Sequence, residues 1–332
     1  MCKRIISFAV CMAFVSICFL AGCGTVSEPT TDSFSTESTL PGADTSASEG
    51  TETSSSSGDS QGTMEPPHTD PLRPYVITFT DDGVEYSFQY DLATKETTLF
   101  DIYSEKETVI IPAGFEDEFQ YWRISGLSSS ALTYLVAVKK LVLSEGIEWL
   151  DPDFPPSLRA NLEELYLPAS LQILGTGYEN GEDFRGNLLS VKKGIYVDDA
   201  NPWYCDVDGV LFTKDMSILL KAPENMGTET YTVPDGVRVL YSYACSDMSL
   251  KNLILPEGLL AIKEHALTYC SSIRKLDIPA SVVRIDKESL PSFLTEITVS
   301  PNNPNFHVEI TEDGRMRLYD KYGELIYTTQ AP

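Results

Sequence analysis

Two neighbouring stretches of this chain read in the same frame, and that repetition constrains the fold more than any other feature. The first is Leu250-Lys251-Asn252-Leu253-Ile254-Leu255-Pro256-Glu257-Gly258-Leu259-Leu260-Ala261-Ile262, followed by Ala266-Leu267. Twenty-three residues on comes Ile273-Arg274-Lys275-Leu276-Asp277-Ile278-Pro279-Ala280-Ser281-Val282-Val283-Arg284-Ile285, followed by Ser289-Leu290. The shared frame is L-x-x-L-x-L/I-P-x-x-V/L-x-x-I and then a small-plus-apolar pair. A unit this short cannot enclose a core of its own, so its apolar face is buried only by stacking on the next unit. The frame predicts a solenoid.

Parts of the frame recur upstream. Val109-Ile110-Ile111-Pro112 opens one unit; Leu127, Ala131-Leu132, Val138, Leu141 and Leu143 recover it. Leu162-x-x-Leu165-x-Leu167-Pro168 follows, and then Tyr231-Thr232-Val233-Pro234 with Leu240 and Ala244. The pattern resembles the BspA-like leucine-rich repeats, whose units read roughly L-x-x-I-x-I-P-x-x-V-x-x-I-x-x-x-A-F-x-x-C. Pro256 and Pro279 fall on the family's Pro, Ala266 and Leu267 on its A-F pair, and Cys270 on its closing Cys. The resemblance covers most of the chain after about Glu107. It implies a mainly β solenoid fold and a surface role, and it brings no catalytic residues to transfer.

The opening 22 residues read as a targeting segment. Lys3 and Arg4 precede an apolar run from Ile5 to Leu20, which is short for a membrane span. Leu20-Ala21-Gly22-Cys23 then looks like a bacterial lipobox, with Cys23 as the lipidated residue that ties the protein to a membrane. From 23 to 74 the composition changes. Ser and Thr supply 21 of the 49 residues from Gly24 to Leu72. Such a stretch buries too little apolar surface to offset its ordering entropy, so the expectation is a disordered tether. Residues 75–107 alternate polar and apolar around Asp81-Asp82-Gly83 and read as an antiparallel β cap. Residues 108–332 form the repeat domain, with hairpin insertions at about 195–222 and 297–330. Both insertions run from a repeat strand through an Asn-Pro turn, Asn201-Pro202 and Asn303-Pro304, into a hairpin near Asp-Gly. The first is expected to project from the solenoid and the second to cap it.

Candidate chemistry is sparse. A formal net charge of −25 argues against nucleic acid as a partner. The chain has three His and no H-E-x-x-H, G-x-S-x-G or P-loop pattern, and its Cys lack zinc spacing. No catalytic residue, metal or cofactor is assigned; a hydrolase would need an acid pair that no motif marks. Asp206-Val207-Asp208-Gly209 is a fragment of a calcium loop without its closing Glu, and Asp-Gly equally makes a hairpin turn. Cys270 shares its repeat position with Leu135 and Met248, which makes it a core slot.

The strand frame points elsewhere. Alternation sends Val142, Tyr166, Tyr196, Thr232, Ile254, Asp277 and Thr298 to one row on the open face. Bases flank the row, among them Lys193, Lys251 and Lys275. The expected ligand residues are Tyr166, Tyr196 and Ile254 with those three lysines, and Trp203 and Tyr204 on the first hairpin. Together they suit a non-enzymatic module outside the cytoplasm that binds a protein or glycan, an acidic glycan being the class the bases would steer. A plain solvated sheet face with cross-strand charge pairs is the competing reading. A transport-associated binding lipoprotein is the alternative function; it would need two α/β lobes with helical periodicity, whereas strands and short turns dominate here.

Overall fold

The structure is a computed structural model that describes residues 75–90, 97–118, 120–175 and 189–331. The signal segment, Cys23 and the 23–74 linker lie outside these residues. The protein is mainly β, and its one α-helix among the described residues, Pro156–Asn161, is six residues long.

Each repeat opens with a short strand whose alternate side chains are buried. In Lys275–Ile278, Leu276 and Ile278 are buried while Lys275 and Asp277 are exposed. Thr108–Ile111, Lys140–Leu143 and Glu164–Leu167 repeat the alternation. Each buried Leu or Ile contributes about 1.5–3 kcal/mol. The strands stack in parallel. Ile110 lies opposite Val142, Val142 opposite Tyr166, and Tyr166 opposite Tyr196. Further along, Thr232 pairs with Ile254 and Asp277 with Thr298, in two separate two-stranded sheets. The expected single row of seven is therefore broken: beyond Tyr196 the strand edge bonds to Gly209 and Asp206 instead of the next repeat, and among the described residues no ladder joins the Ile254 strand to the Asp277 strand.

Proline ends these strands because it fixes φ and removes a ladder donor. Its carbonyl then closes a turn on the residue three positions later: Leu171 N–H donates to Pro168 O at 3.3 Å, and Leu259 N–H to Pro256 O at 3.2 Å. A second, two-residue strand follows. Trp149–Leu150 and Ile173–Leu174 pair in one sheet, and Val239–Leu240, Ala261–Ile262 and Arg284–Ile285 in another. Adjacent units are also stapled through the turn. The Gly258 N–H donates to Ser281 Oγ at 2.9 Å, and that hydroxyl donates to Leu259 O at 2.7 Å. Gly146, Ser170 and Ile147 make the same arrangement, both bonds at 2.8 Å.

The cap is a three-stranded antiparallel sheet of Tyr75–Asp81, Val84–Tyr90 and Thr97–Tyr103. It lowers Tyr86, Phe88 and Ile102 onto the first repeats, and Phe79 stacks on Phe115 with ring centroids 5.1 Å apart.

The first insertion does not project. Tyr204–Val207, Val210–Thr213 and Ile218–Lys221 form an antiparallel meander, and its third strand pairs in parallel with Val239–Leu240. The meander continues the sheet of short strands and stands between two hydrophobic cores. Leu211 and Leu220 belong to the core that includes the cap; Val210, Phe212 and Leu219 belong to the core of the later repeats. Both faces are buried, so the strands read as the continuous runs Val210-Leu211-Phe212 and Ile218-Leu219-Leu220. The expectation of a projecting hairpin fails for this reason: exposing those runs would leave apolar side chains in water on two sides.

Candidate functional site

The open face begins with the row Ile110, Val142, Tyr166 and Tyr196, which parallel register holds side by side. The Tyr166 and Tyr196 rings pack with centroids 4.8 Å apart and planes tilted by 31°. Lys140 Nζ sits 4.2 Å from the centroid of the Tyr166 ring, a cation–π contact. The Tyr166 hydroxyl donates to Glu164 Oε2 at 3.1 Å. Burial, with the Glu164 charge second, raises the Tyr196 phenol above its ordinary value. Both rings are half-buried, each leaving part of its surface to solvent.

Gly194 makes this arrangement possible. A Cβ there would come within 2.7 Å of the Tyr196 ring tip and hydroxyl. The same Gly lets the next turn approach: a Cβ on Gly209 would stand 2.8 Å from Gly194 Cα, and Ile195 N–H donates to Gly209 O at 2.9 Å. Asp206 closes that contact, because its Oδ1 accepts the Val197 N–H at 2.7 Å. The carboxylate noted for its calcium-loop spacing thus caps a strand edge.

The flanking lysines are all paired. Lys193 meets Glu163 at 2.7 Å and Lys275 meets Glu296 at 2.7 Å; Lys251 bonds to Glu229. Hydrogen bonding to these acids raises Lys193 and Lys275 above the ordinary lysine value. Exposed pairs of this kind contribute little to stability, but they cancel much of the positive field the sequence suggested. Lys140, not among the expected site residues, is paired as well, with Glu164 at 3.7 Å, and holds the position over the aromatic pair. Its signal was present as the base two residues before Val142, in the frame position that Glu164 occupies before Tyr166.

Ile254 is 51% exposed and belongs to the later half of the open face. There a groove of about 330 Å³ runs past Ile254, Asp277, Thr298, Glu257, Pro279 and Pro301. The Thr298 hydroxyl donates to Asp277. This half is aliphatic and rich in acceptors; the earlier half is aromatic.

Trp203 is 54% exposed on the meander. Tyr204 is turned the other way: its hydroxyl donates to Gln172 O at 3.1 Å and accepts the Leu174 N–H at 3.3 Å. Burial raises its phenol. Tyr204 docks the meander on the preceding repeat, so it is not carried outward with Trp203.

Cys270 is buried, with its Sγ 2.8 Å from Cys245 O, and burial pushes its thiol up to about 12. Leu135 and Met248 fill the same slot in other units and are also buried.

Short repeat strands stacked in parallel, with their alternate Leu and Ile side chains buried between units, make a leucine-rich-repeat solenoid. Residues 220–311 match the model of the BspA type leucine rich repeat region in six copies, and the protein carries repeats of that type. No curated protein matches the chain. Among solved structures, the chain is similar to the pneumococcal vaccine antigen PcpA, at 24% identity with a TM-score of 0.43. That match covers 60% of this chain and 52% of PcpA, so the chain spans about half the length of that structure. A leucine rich cell surface protein from Faecalibacterium prausnitzii matches at 13% identity with a TM-score of 0.33, over 67% of this chain and 94% of that one. A leucine-rich repeat protein from Bacteroides ovatus matches at 13% identity with a TM-score of 0.34, over 68% and 54%.

Proposed function

We propose that this protein is a lipid-anchored recognition module, facing away from the cytoplasm, that binds a protein or glycan on the open face of its repeats. The observation that carries the reading is the Tyr166–Tyr196 pair with Lys140 above it. Aromatic side chains dominate contact hot spots because they offer large area for little ordering entropy. Two tilted rings suit the apolar face of a sugar, and the Lys140 ammonium, shared with Glu164 at 3.7 Å, offers donors to the polar groups on its rim. Lys193, Lys251 and Lys275 are each held by a glutamate, so the steering they add is small and weakens with salt.

The anchor is read from Leu20-Ala21-Gly22-Cys23. The two or three acyl chains of such an anchor hold a protein firmly, whereas one chain holds weakly. Cys23→Ser is expected to appear in the soluble fraction or as an unprocessed precursor; mature-size Cys23→Ser protein in the membrane fraction would overturn the anchor.

The binding reading is tested by exposing the full chain to arrays of glycans and host proteins. Affinity for the selected ligand is then measured with Tyr166→Ala/Tyr196→Ala. At least a tenfold loss is expected, with a cooperative melt kept at a temperature a few degrees lower. Unaltered affinity in the folded double variant would reduce the open face to an ordinary sheet surface.

A further inference from the structure

The first repeat leaves a strand edge open. Thr108–Ile111 is the outer strand of its four-stranded sheet and pairs on one side only, with Lys140–Leu143. On that side Glu107 O accepts the Lys139 and Lys140 N–H groups at 2.8 and 2.9 Å, and Ile111 O accepts the Ser144 N–H at 3.0 Å. In a parallel ladder successive residues turn their backbone groups to opposite sides, so Thr108 and Ile110 present theirs to the outer edge. The Ile110 carbonyl accepts the Tyr86 hydroxyl there at 3.1 Å. The Thr108 N–H and C=O and the Ile110 N–H have no partner on that edge among the described residues.

The cap does not close over them. A groove of about 550 Å³ separates its Asp81–Val84 turn from the strand, lined by Asp81, Asp82, Lys106, Glu107, Thr108 and Ile110. Natural sheets cover or blunt their edges, and an edge left bare along a groove is suited to receiving an added strand.

The surroundings state what such a strand carries. Residues 75–107 hold eight acids against two lysines. Lys106 is paired with Asp82 at 2.7 Å, while Asp81 has no cation beside it among the described residues. Ile110 is 59% exposed and offers an apolar contact. The strand on the opposite edge already displays the matching chemistry, since Lys139 meets Glu107 at 2.5 Å and Val142 lies beside Ile110.

We propose that this groove binds an extended, basic segment of a partner protein, added as a further strand along Thr108–Ile111. A Lys or Arg of the segment faces Asp81, and an aliphatic side chain packs on Ile110. The site is separate from the Tyr166–Tyr196 pair and stands without it.

The probe is a synthetic peptide of residues 138–144, Val-Lys-Lys-Leu-Val-Leu-Ser, titrated at low salt into the full chain. Binding is read by fluorescence anisotropy and by residue-level amide exchange. The amides of Thr108 and Ile110 are expected to slow on binding, while those of Val109 and Ile111, already in the ladder, stay as they were. Thr108→Pro removes an outward donor at an edge position that tolerates Pro, and Asp81→Lys reverses the unpaired charge. Each is expected to weaken the peptide at least tenfold, and Tyr166→Ala is expected to leave it unchanged. If Thr108→Pro does not fold, the Asp81→Lys affinity and the wild-type exchange pattern decide. A peptide that fails to bind the wild type, or binds Asp81→Lys equally, overturns the proposal, as does protection confined to any other strand.

Discussion

The chain builds one motif twice and uses it in two ways. The meander at 204–221 and the meander at 306–328 both start from an Asn-Pro turn whose Asn holds the preceding repeat. Asn201 Nδ2 donates to Pro168 O and Leu171 O at 2.9 Å each, and its Oδ1 accepts the Trp203 and Tyr204 N–H groups at 2.8 Å. Asn303 donates to Pro279 O and Val282 O at 2.8 and 3.1 Å, and accepts from Asn305 and Phe306 at 2.7 and 3.2 Å. Beyond the turn they diverge. In the first, the second and third strands are buried on both faces, and the third is covered by Val239–Leu240. The second buries only Leu318 of Arg317-Leu318-Tyr319, and its third strand, Leu325–Thr328, forms the edge of its sheet among the described residues. A two-sided wall joins cores, and a one-sided wall covers one.

The largest effect that would separate the two meanders is expected at their central strands. Phe212→Ala empties a fully buried site and should cost about 3–5 kcal/mol. Tyr319→Ala, at the matching position but half-buried against His307, should cost about 1 kcal/mol. Equal shifts in urea midpoint would erase the distinction.

The Asn pair comes next. Asn201→Ala leaves two carbonyls and two N–H groups unsatisfied at a buried site, so a loss of about 3 kcal/mol is expected. Asn303→Ala should cost about 1–2 kcal/mol, since Asn305 Nδ2 also donates to Val282 O. Thermal melts of the two variants rank them; the reverse order would mean the first meander is not the more tightly held.

The smallest effect concerns pH. Lys221 ends the third strand of the first meander, buried, with Nζ donating to Tyr243 O at 3.1 Å and Ser246 Oγ at 2.9 Å. Burial pushes its pKa below the ordinary lysine value. The unfolded chain therefore binds the extra proton over the window between the two values, and stability rises with pH across it. Lys221→Met should flatten that rise in a series of melts approaching pH 10. A slope that persists in Lys221→Met would assign it to other groups.

The repeat frame made much of this legible. It placed Asp277 on the open face, assigned Cys270 to the core, and set Tyr166 beside Tyr196. What it hid is physical in origin. The lysine pairs join residues in neighbouring repeats, such as Lys251 and Glu229, and become visible only when the frames are stacked in register. The role of the first meander was written in its unbroken apolar runs, which a hairpin buried on one face would not tolerate. Tyr243, His265 and Glu288 adopt φ of 57°, 57° and 53° at one equivalent position in successive repeats. No Gly marks that position, although such backbone costs a non-glycine residue roughly 1–2 kcal/mol. The close approach at Gly194 is a matter of ångströms between turns that no spacing encodes.

The most direct test of the account sets the open face against the meander. With one array-selected ligand, affinity is measured by calorimetry for Tyr166→Ala/Tyr196→Ala and for Trp203→Ala, after both are shown by cooperative melts to be folded at the temperature of the measurement. The account predicts at least a tenfold loss for the tyrosine pair and no change for Trp203→Ala. A loss confined to Trp203→Ala would contradict it and move recognition to the meander.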